Sequence, residues 1–321
     1  MTTGRWRVLV TEPIDEAGLK RLEEIADVTR WDAYDDETLA REIDHYHAIV
    51  VRTKALPPEM IERAEHLRVI SKHGVGLDNV PVEVASEGNV AVCNLPGVNT
   101  QKVAEHALAL LLAVRKTTPP TNAALADGSW DRGDYRPRTI KGGILGLFGF
   151  GHTGRNLAEL AHGIGLPCVA YDPYVRDADL PLHVTGVETK RELFDRARYV
   201  SVHAPLTDET RGAIGAEQLR RLPDDGVVVN TARGGIVDEE SLLAALEAGE
   251  IAGAGMDVFV DEPLAPNHPL IERDDVVATP HIAGTTVESL RRMSIGAADN
   301  VRQVRDGRLP EMTVNAAEIE L

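Results

Sequence analysis

Short runs of β-branched and aliphatic residues alternate with segments whose apolar positions recur at helical spacing, almost from one end of the chain to the other. Residues 6–12 (WRVLVTE) predict a strand, and residues 14–26 (IDEAGLKRLEEIA) predict the helix that follows it. The pattern returns as strand, helix and strand at 47–52 (HAIVVR), 57–64 and 68–72. Strands that read as unbroken apolar runs between helices belong to parallel sheets covered on both faces. Near Pro96 the rhythm breaks at NLPGVNT. A long helical segment then spans 101–115, and a loop rich in Gly, Asp and Arg over 127–138 leads into the most apolar strand of the chain, 144–148. Further strand candidates at 168–171, 199–203, 226–230, 252–258 and 276–278 bring the second half to six, enough for a doubly wound sheet. A last helix, 286–305, follows the finished sheet and most simply returns to the first half. The fold expected is α/β, with two doubly wound parallel-sheet domains. One is discontinuous, over 1–98 and 287–321, and the larger spans 99–286.

Length agrees with two domains, since 321 residues exceed what one ordinary core serves. With 43% hydrophobic and 26% charged residues, wholesale disorder and fibrous architectures are excluded. Acidic residues outnumber basic ones by 17 (51 against 34) with no Lys/Arg run, so the mean field repels a phosphate backbone and no nucleic-acid partner is expected. The longest apolar stretch, 107–114, is far short of the roughly 20 residues that span a bilayer. The N-terminus reads straight into a strand, so neither a membrane segment nor a signal peptide is expected. The two cysteines, Cys93 and Cys168, offer no disulfide framework and no thiolate metal site, which fits a reducing cytoplasm. Seven Lys stand against 27 Arg. A GC-rich genome trades Lys for Arg but does not explain the carboxylate excess, whereas a densely acidic, Lys-poor surface suits a halophilic source.

Strand 144–148 runs directly into Gly149-Phe150-Gly151-His152-Thr153-Gly154 and then into a helical pattern. In that setting the first glycine makes the tight turn, the second lets backbone approach a pyrophosphate, and the third lets helix and strand pack. The helix N-terminus adds unpaired N–H groups, among them those of His152 and Thr153. The next strand ends at Asp172, whose carboxylate is placed to take both ribose hydroxyls and to repel a 2′-phosphate, with Arg176 the only cation nearby. A Rossmann dinucleotide-binding domain that prefers NAD to NADP is therefore expected. No GxxxxGK[ST] loop occurs.

Six motifs then carry a resemblance to a known family: HGVGLDNV (73–80), VAEHALALLL (103–112), GLFGFGHTG (146–154), NTARGGIVDEESL (230–242), GMDVFVDEPL (255–264) and TPHIAGTT (279–286). In this order they resemble the D-2-hydroxyacid dehydrogenases, the family of phosphoglycerate dehydrogenase and glyoxylate/hydroxypyruvate reductase. The resemblance implies a two-domain protein, usually a homodimer, with its active site in the cleft between the domains and a small 2-hydroxy or 2-keto acid as substrate. Reducing a keto acid needs a hydride, a proton for the carbonyl oxygen and a cation to hold and polarise the substrate. His281, just past strand 276–278, and Glu262, in the loop after 252–258, form a pair in which a carboxylate favours the protonated imidazole and fixes its tautomer. Arg233, past strand 226–230, offers a planar fork for a carboxylate. By resemblance these three hold the catalytic positions. Gly74, Val75 and Gly76 match the loop whose N–H groups hold the substrate carboxylate, Arg52 matches a substrate-side arginine, and Asp257, read as mid-strand, matches the residue that holds the nicotinamide carboxamide. His73 replaces a small residue and is expected to narrow or charge the pocket. Trp130 reads equally as interface packing or substrate contact.

Two other classes share this scaffold. An NADH-binding corepressor-like regulator keeps the same triad, but disordered flanks for recruiting partners are not expected from this sequence. A formate enzyme carries Gln where Glu262 stands, and a phosphite enzyme carries a pocket lysine absent from this GVG loop. A phosphorylated substrate needs extra cations, for which Arg52, Lys54 and His73 are the candidates. From the short tail after residue 305, a C-terminal regulatory domain is not expected.

Overall fold

The computed structural model describes residues 5–30, 41–130, 133 and 135–320. It divides into two compact units, Met1–Asn99 with Thr285–Leu321, and Thr100–Gly284. The Gly-, Asp- and Arg-rich loop is described only in part, because residues 131, 132 and 134 lie outside the described residues.

In the first unit, strands β1 (Trp6–Val10), β2 (Ala26–Arg30), β3 (Ala48–Val51), β4 (Val69–Lys72) and β5 (Ala91–Cys93) form one parallel sheet in the order β2-β1-β3-β4-β5. Successive side chains of a strand face opposite sides, so Leu9, Ile49, Val51, Ile70 and Val92 build one core. Val8, Val10, Val50, Val69 and Ala91 build the other, against Ala297, Ala298, Val301 and Val304 of the helix Val287–Arg305. Because both faces are buried, β3 and β4 read as continuous apolar runs, whereas β2, at the edge, does not.

The second unit holds β6 (Leu145–Phe148), β7 (Cys168–Tyr171), β8 (Val184–Gly186), β9 (Tyr199–Val202), β10 (Val227–Asn230), β11 (Gly253–Met256) and β12 (Val276–Ala278). All are parallel, in the order β12-β11-β10-β9-β6-β7-β8. The described sheet thus has seven strands rather than the six expected. Direction of winding reverses between β6 and β9, which is where open α/β sheets leave a ligand crevice. Phe148 is level with Tyr171 and Val202, Val202 with Asn230, Asn230 with Met256, and Met256 with Ala278. The carboxyl ends of six strands therefore share one row. Leu145, Leu147, Val227 and Val229 face the helices Thr100–Lys116 and His152–Gly163, while Val200, Val202, Val228 and Met256 face Leu242, Leu246 and Phe194. No helix among the described residues is long and apolar enough to cross a membrane.

Candidate active site

The row of strand ends in the second unit gathers most of the residues singled out in the sequence. β6 leads into Gly149, whose φ of +96° and position, with a built Cβ only 2.6 Å from the Ala204 nitrogen, both require glycine. Gly151 caps the helix His152–Gly163 with no side-chain hydrogen bond, and a Cβ there would meet nothing within 4 Å. Open space at the N-terminus of a twelve-residue helix is a cradle that suits a pyrophosphate. His152 and Thr153 form its first turn, and Gly154 lies on the buried face. Asp172, one residue past β7, accepts from the Phe150 N–H at 2.8 Å through one oxygen and from the Tyr174 N–H at 2.9 Å through the other. The carboxylate thus braces the glycine turn, a task the sequence did not disclose, and keeps one acceptor site per oxygen for a diol rather than two. Arg176 is tied to Asp179 at 3.0 Å.

Three residues beyond β10, Arg233 sits in a turn held by Asn230, whose side chain donates to the Arg233 carbonyl at 2.9 Å and accepts from the Ala232 N–H at 3.1 Å. Gly234 passes so close to the next loop that a Cβ would lie 1.9 Å from the Phe259 oxygen, so only glycine permits this approach. That loop carries Glu262, which accepts from the Phe259 N–H at 3.0 Å through Oε1 and meets His281 Nδ1 at 2.7 Å through Oε2. A carboxylate only accepts, so Nδ1 carries the hydrogen and Nε2 is left to exchange a proton. Both side chains are partly exposed, 50% for His281 and 36% for Glu262. His281 adopts a left-handed φ of +52°, uncommon for a residue with a Cβ.

Asp257 is not mid-strand, because β11 ends at Met256 and Asp257 is the first residue beyond it. It is fully buried. Its carboxylate is not left unpaired there: it accepts from Thr279 Oγ1 at 2.6 Å and from the N–H groups of Ile282 at 2.8 Å and Ala283 at 2.9 Å.

In the first unit, Val51 is level with Lys72, so Arg52 and the GVG loop leave adjacent strand ends. The Gly74 carbonyl accepts from the Leu95 N–H at 2.9 Å and the Val75 carbonyl from the Asn94 side chain at 2.8 Å. With its carbonyls so engaged, the loop leaves the N–H groups of Val75 and Gly76 without a protein partner among the described residues. The sequence reading passed over Glu12, at the end of β1. It accepts from the N–H groups of Arg52 at 3.1 Å, Thr53 at 2.6 Å and Lys54 at 2.8 Å. Burial pushes its carboxyl up, but bonds from Thr11, Thr53 and these N–H groups outweigh that and hold it below the usual carboxylate range. The only signal was its place beside Thr11 at a strand end. Lys72 Nζ donates to the Arg52 carbonyl at 2.6 Å and to Asn79. His73 is 3% exposed, with Nε2 2.8 Å from Ser294 Oγ and 3.2 Å from the Leu290 carbonyl. Burial drives its pKa down to about 4. The expectation that His73 charges the pocket is therefore corrected: it is a neutral packing residue against helix Val287–Arg305. Trp130 is 75% exposed.

Comparison with known proteins places this geometry. The model of the D-isomer specific 2-hydroxyacid dehydrogenase, NAD binding domain, matches residues 108–283. The chain is 36% identical over 98% of its length to D-3-phosphoglycerate dehydrogenase of Methanocaldococcus jannaschii, and it spans 60% of that protein's length. It is 35% identical to hydroxypyruvate reductase of Thermotoga maritima, over 92% of this chain and 97% of that protein. Among solved structures, the TT0316 protein of Thermus thermophilus is similar at a TM-score of 0.88 and 34% identity, covering 96% of this chain and 99% of the other. The NADPH-dependent glyoxylate/hydroxypyruvate reductase of Sinorhizobium meliloti, solved with NADP and malonate, is similar at a TM-score of 0.87 and 30% identity, with 99% of each chain covered. With a family model over more than half of its length and relatives above 30% identity along nearly all of it, the chain belongs to the D-isomer specific 2-hydroxyacid dehydrogenase family.

Proposed function

We propose that the protein is an NAD-dependent oxidoreductase that moves a hydride between nicotinamide and C2 of a small, unphosphorylated D-2-hydroxy acid or its 2-keto acid, hydroxypyruvate and glyoxylate first among them. The observation that carries this reading is the 2.7 Å pair of His281 Nδ1 and Glu262 Oε2, set on the same row of strand ends as the glycine turn and Arg233. A bound nicotinamide dinucleotide supplies the hydride to C2. His281 then gives the proton on Nε2 to the carbonyl oxygen and takes it back in the oxidation direction, and Glu262 holds the ring and stabilises its charged form. Arg233 binds the substrate carboxylate and polarises the keto oxygen. The N–H groups of Gly74–Gly76 and the Arg52 side chain serve the substrate, while Asp257, fully buried, acts on the turn that carries His281 rather than on the carboxamide.

One observation favours an unphosphorylated substrate: His73, one of the three candidate cations, is neutral and turned into the packing. For the cofactor, Asp172 opposes a 2′-phosphate and Arg176 is committed to Asp179. The test is a panel of 2-keto acids with NADH and NADPH. Hydroxypyruvate or glyoxylate with NADH should give the highest kcat/KM. A preference for phosphohydroxypyruvate would sink the substrate reading, and better use of NADPH the cofactor reading. Asp172→Ser should narrow or reverse the preference for NADH.

A further inference from the structure

The buried Asp257 carboxylate does more than its place beside the row of strand ends requires. Its two oxygens take the N–H groups of Ile282 and Ala283, and its own carbonyl takes the His281 N–H at 2.8 Å. Those three N–H groups belong to consecutive residues of the turn that holds His281 at a φ of +52°. A left-handed residue with a Cβ is strained and persists only where its surroundings impose it. Asp257 imposes it here.

What fixes Asp257 lies one step further out. Thr279 Oγ1 is 2.6 Å from Asp257 Oδ1 and 2.9 Å from Nε2 of His106, on the helix Thr100–Lys116. A hydroxyl has one proton and a carboxylate has none to give, so the Thr279 proton must point at Asp257. The Thr279 oxygen is then the acceptor, and His106 Nε2 must carry a hydrogen and donate it. The donors converge on Asp257 from two sides: His106 donates to Thr279 and Thr279 to Asp257, while the N–H groups of the turn donate to Asp257 from the other side. His106 Nε2 also stands 3.6 Å from Asp257 Oδ1.

We propose that His106 and Thr279 are positioning residues for the reaction. Through Asp257 they hold the backbone turn that aims His281, while neither touches the reacting atoms. This rests on the reading of His281 as the proton donor, and the test is chosen to separate the two.

Reduction of hydroxypyruvate by NADH is measured for Thr279→Val, Thr279→Ser, His106→Ala and His281→Ala, and for Thr279→Val combined with His281→Ala. NADH binding and thermal melts are followed for each. Thr279→Val should lower kcat by about tenfold to a hundredfold, as expected for a misaimed group, with KM and NADH affinity nearly unchanged. Thr279→Ser should restore the rate, and His106→Ala should lower kcat in the same manner but less. In the His281→Ala background Thr279→Val should cost nothing further, because there is no longer a proton donor to aim. The inference is overturned if the same loss recurs in that background, if Thr279→Ser fails to restore the rate, or if the loss falls on KM or NADH affinity instead of kcat. A His281→Ala variant that keeps the wild-type kcat removes the proton-donor reading itself, whatever Thr279→Val does.

Discussion

The role proposed for His281 depends on its tautomer, and the contact of Nδ1 with the Glu262 carboxylate sets that tautomer. His281→Ala should lower kcat by roughly 10² to 10⁴, the range for a lost general acid, while NADH binding persists. Glu262→Gln should lower kcat, since an amide can turn its NH2 group toward Nδ1 and no longer fixes the tautomer. Rate measurements decide this, and an unchanged kcat removes Glu262 from the mechanism. These side chains were legible in the sequence because they stand in motifs at strand ends. The bracing by Asp172, Asp257 and Glu12 was not, because each acts on backbone N–H groups supplied by segments distant in sequence, from 22 residues for Asp172 and Phe150 to 42 for Glu12 and Lys54. A pattern of side chains carries no record of which N–H groups will converge on them.

Central strands announced themselves; of the four edge strands, β12 did so as a short apolar run, and β2, β5 and β8 did not. β3, β4, β6, β9 and β10 are buried on both faces and read as apolar runs. β2 (ADVTR) lies at a sheet edge with its polar residues partly exposed, and β5 and β8 are edge strands of three residues each, so neither period nor composition marks them. The helix Thr118–Ala126 buries none of its side chains and opens on two prolines, which read as a break. Where β4 ends, His73 is pressed against helix Val287–Arg305, and at the end of β9 both ring nitrogens of His203 are shielded without a partner. Burial lowers both pKa values to about 4. The unfolded chain takes up these protons near pH 6.5 and the folded one only near pH 4, so stability is full above about pH 6.5 and is lost as pH falls between those values. At pH 5 the loss through His73 is on the order of 2 kcal/mol. Thermal melts should show Tm falling below pH 6.5, and falling less in His73→Gln, whose amide still reaches Ser294. An identical fall in that variant would show that His73 does not titrate with unfolding.

For the molecule as a whole, charge is the outlying property: a formal net charge of −17, with 51 carboxylates spread along the chain rather than gathered in a tail. Many are paired locally, as Asp179 is with Arg176 and Asp195 with Arg191, but exposed pairs of this kind contribute little, and the excess remains. Repulsion beyond the Debye length, about 10 Å at 0.1 M salt and about 3 Å at 1 M, is screened as salt rises. Melting temperature should therefore climb steadily from dilute to molar KCl, with activity following. A level or falling Tm would leave the Arg bias as a matter of genome composition.

All three scales meet in one reaction, and the configuration of its product tests the central claim most directly. Purified protein is given hydroxypyruvate and NADH, NADH absorbance is followed, and the glycerate formed is resolved into its enantiomers. One NADH should be consumed per glycerate, all of it of the D configuration. Formation of L-glycerate, or binding of NADH with no oxidation by any 2-keto acid, would contradict it.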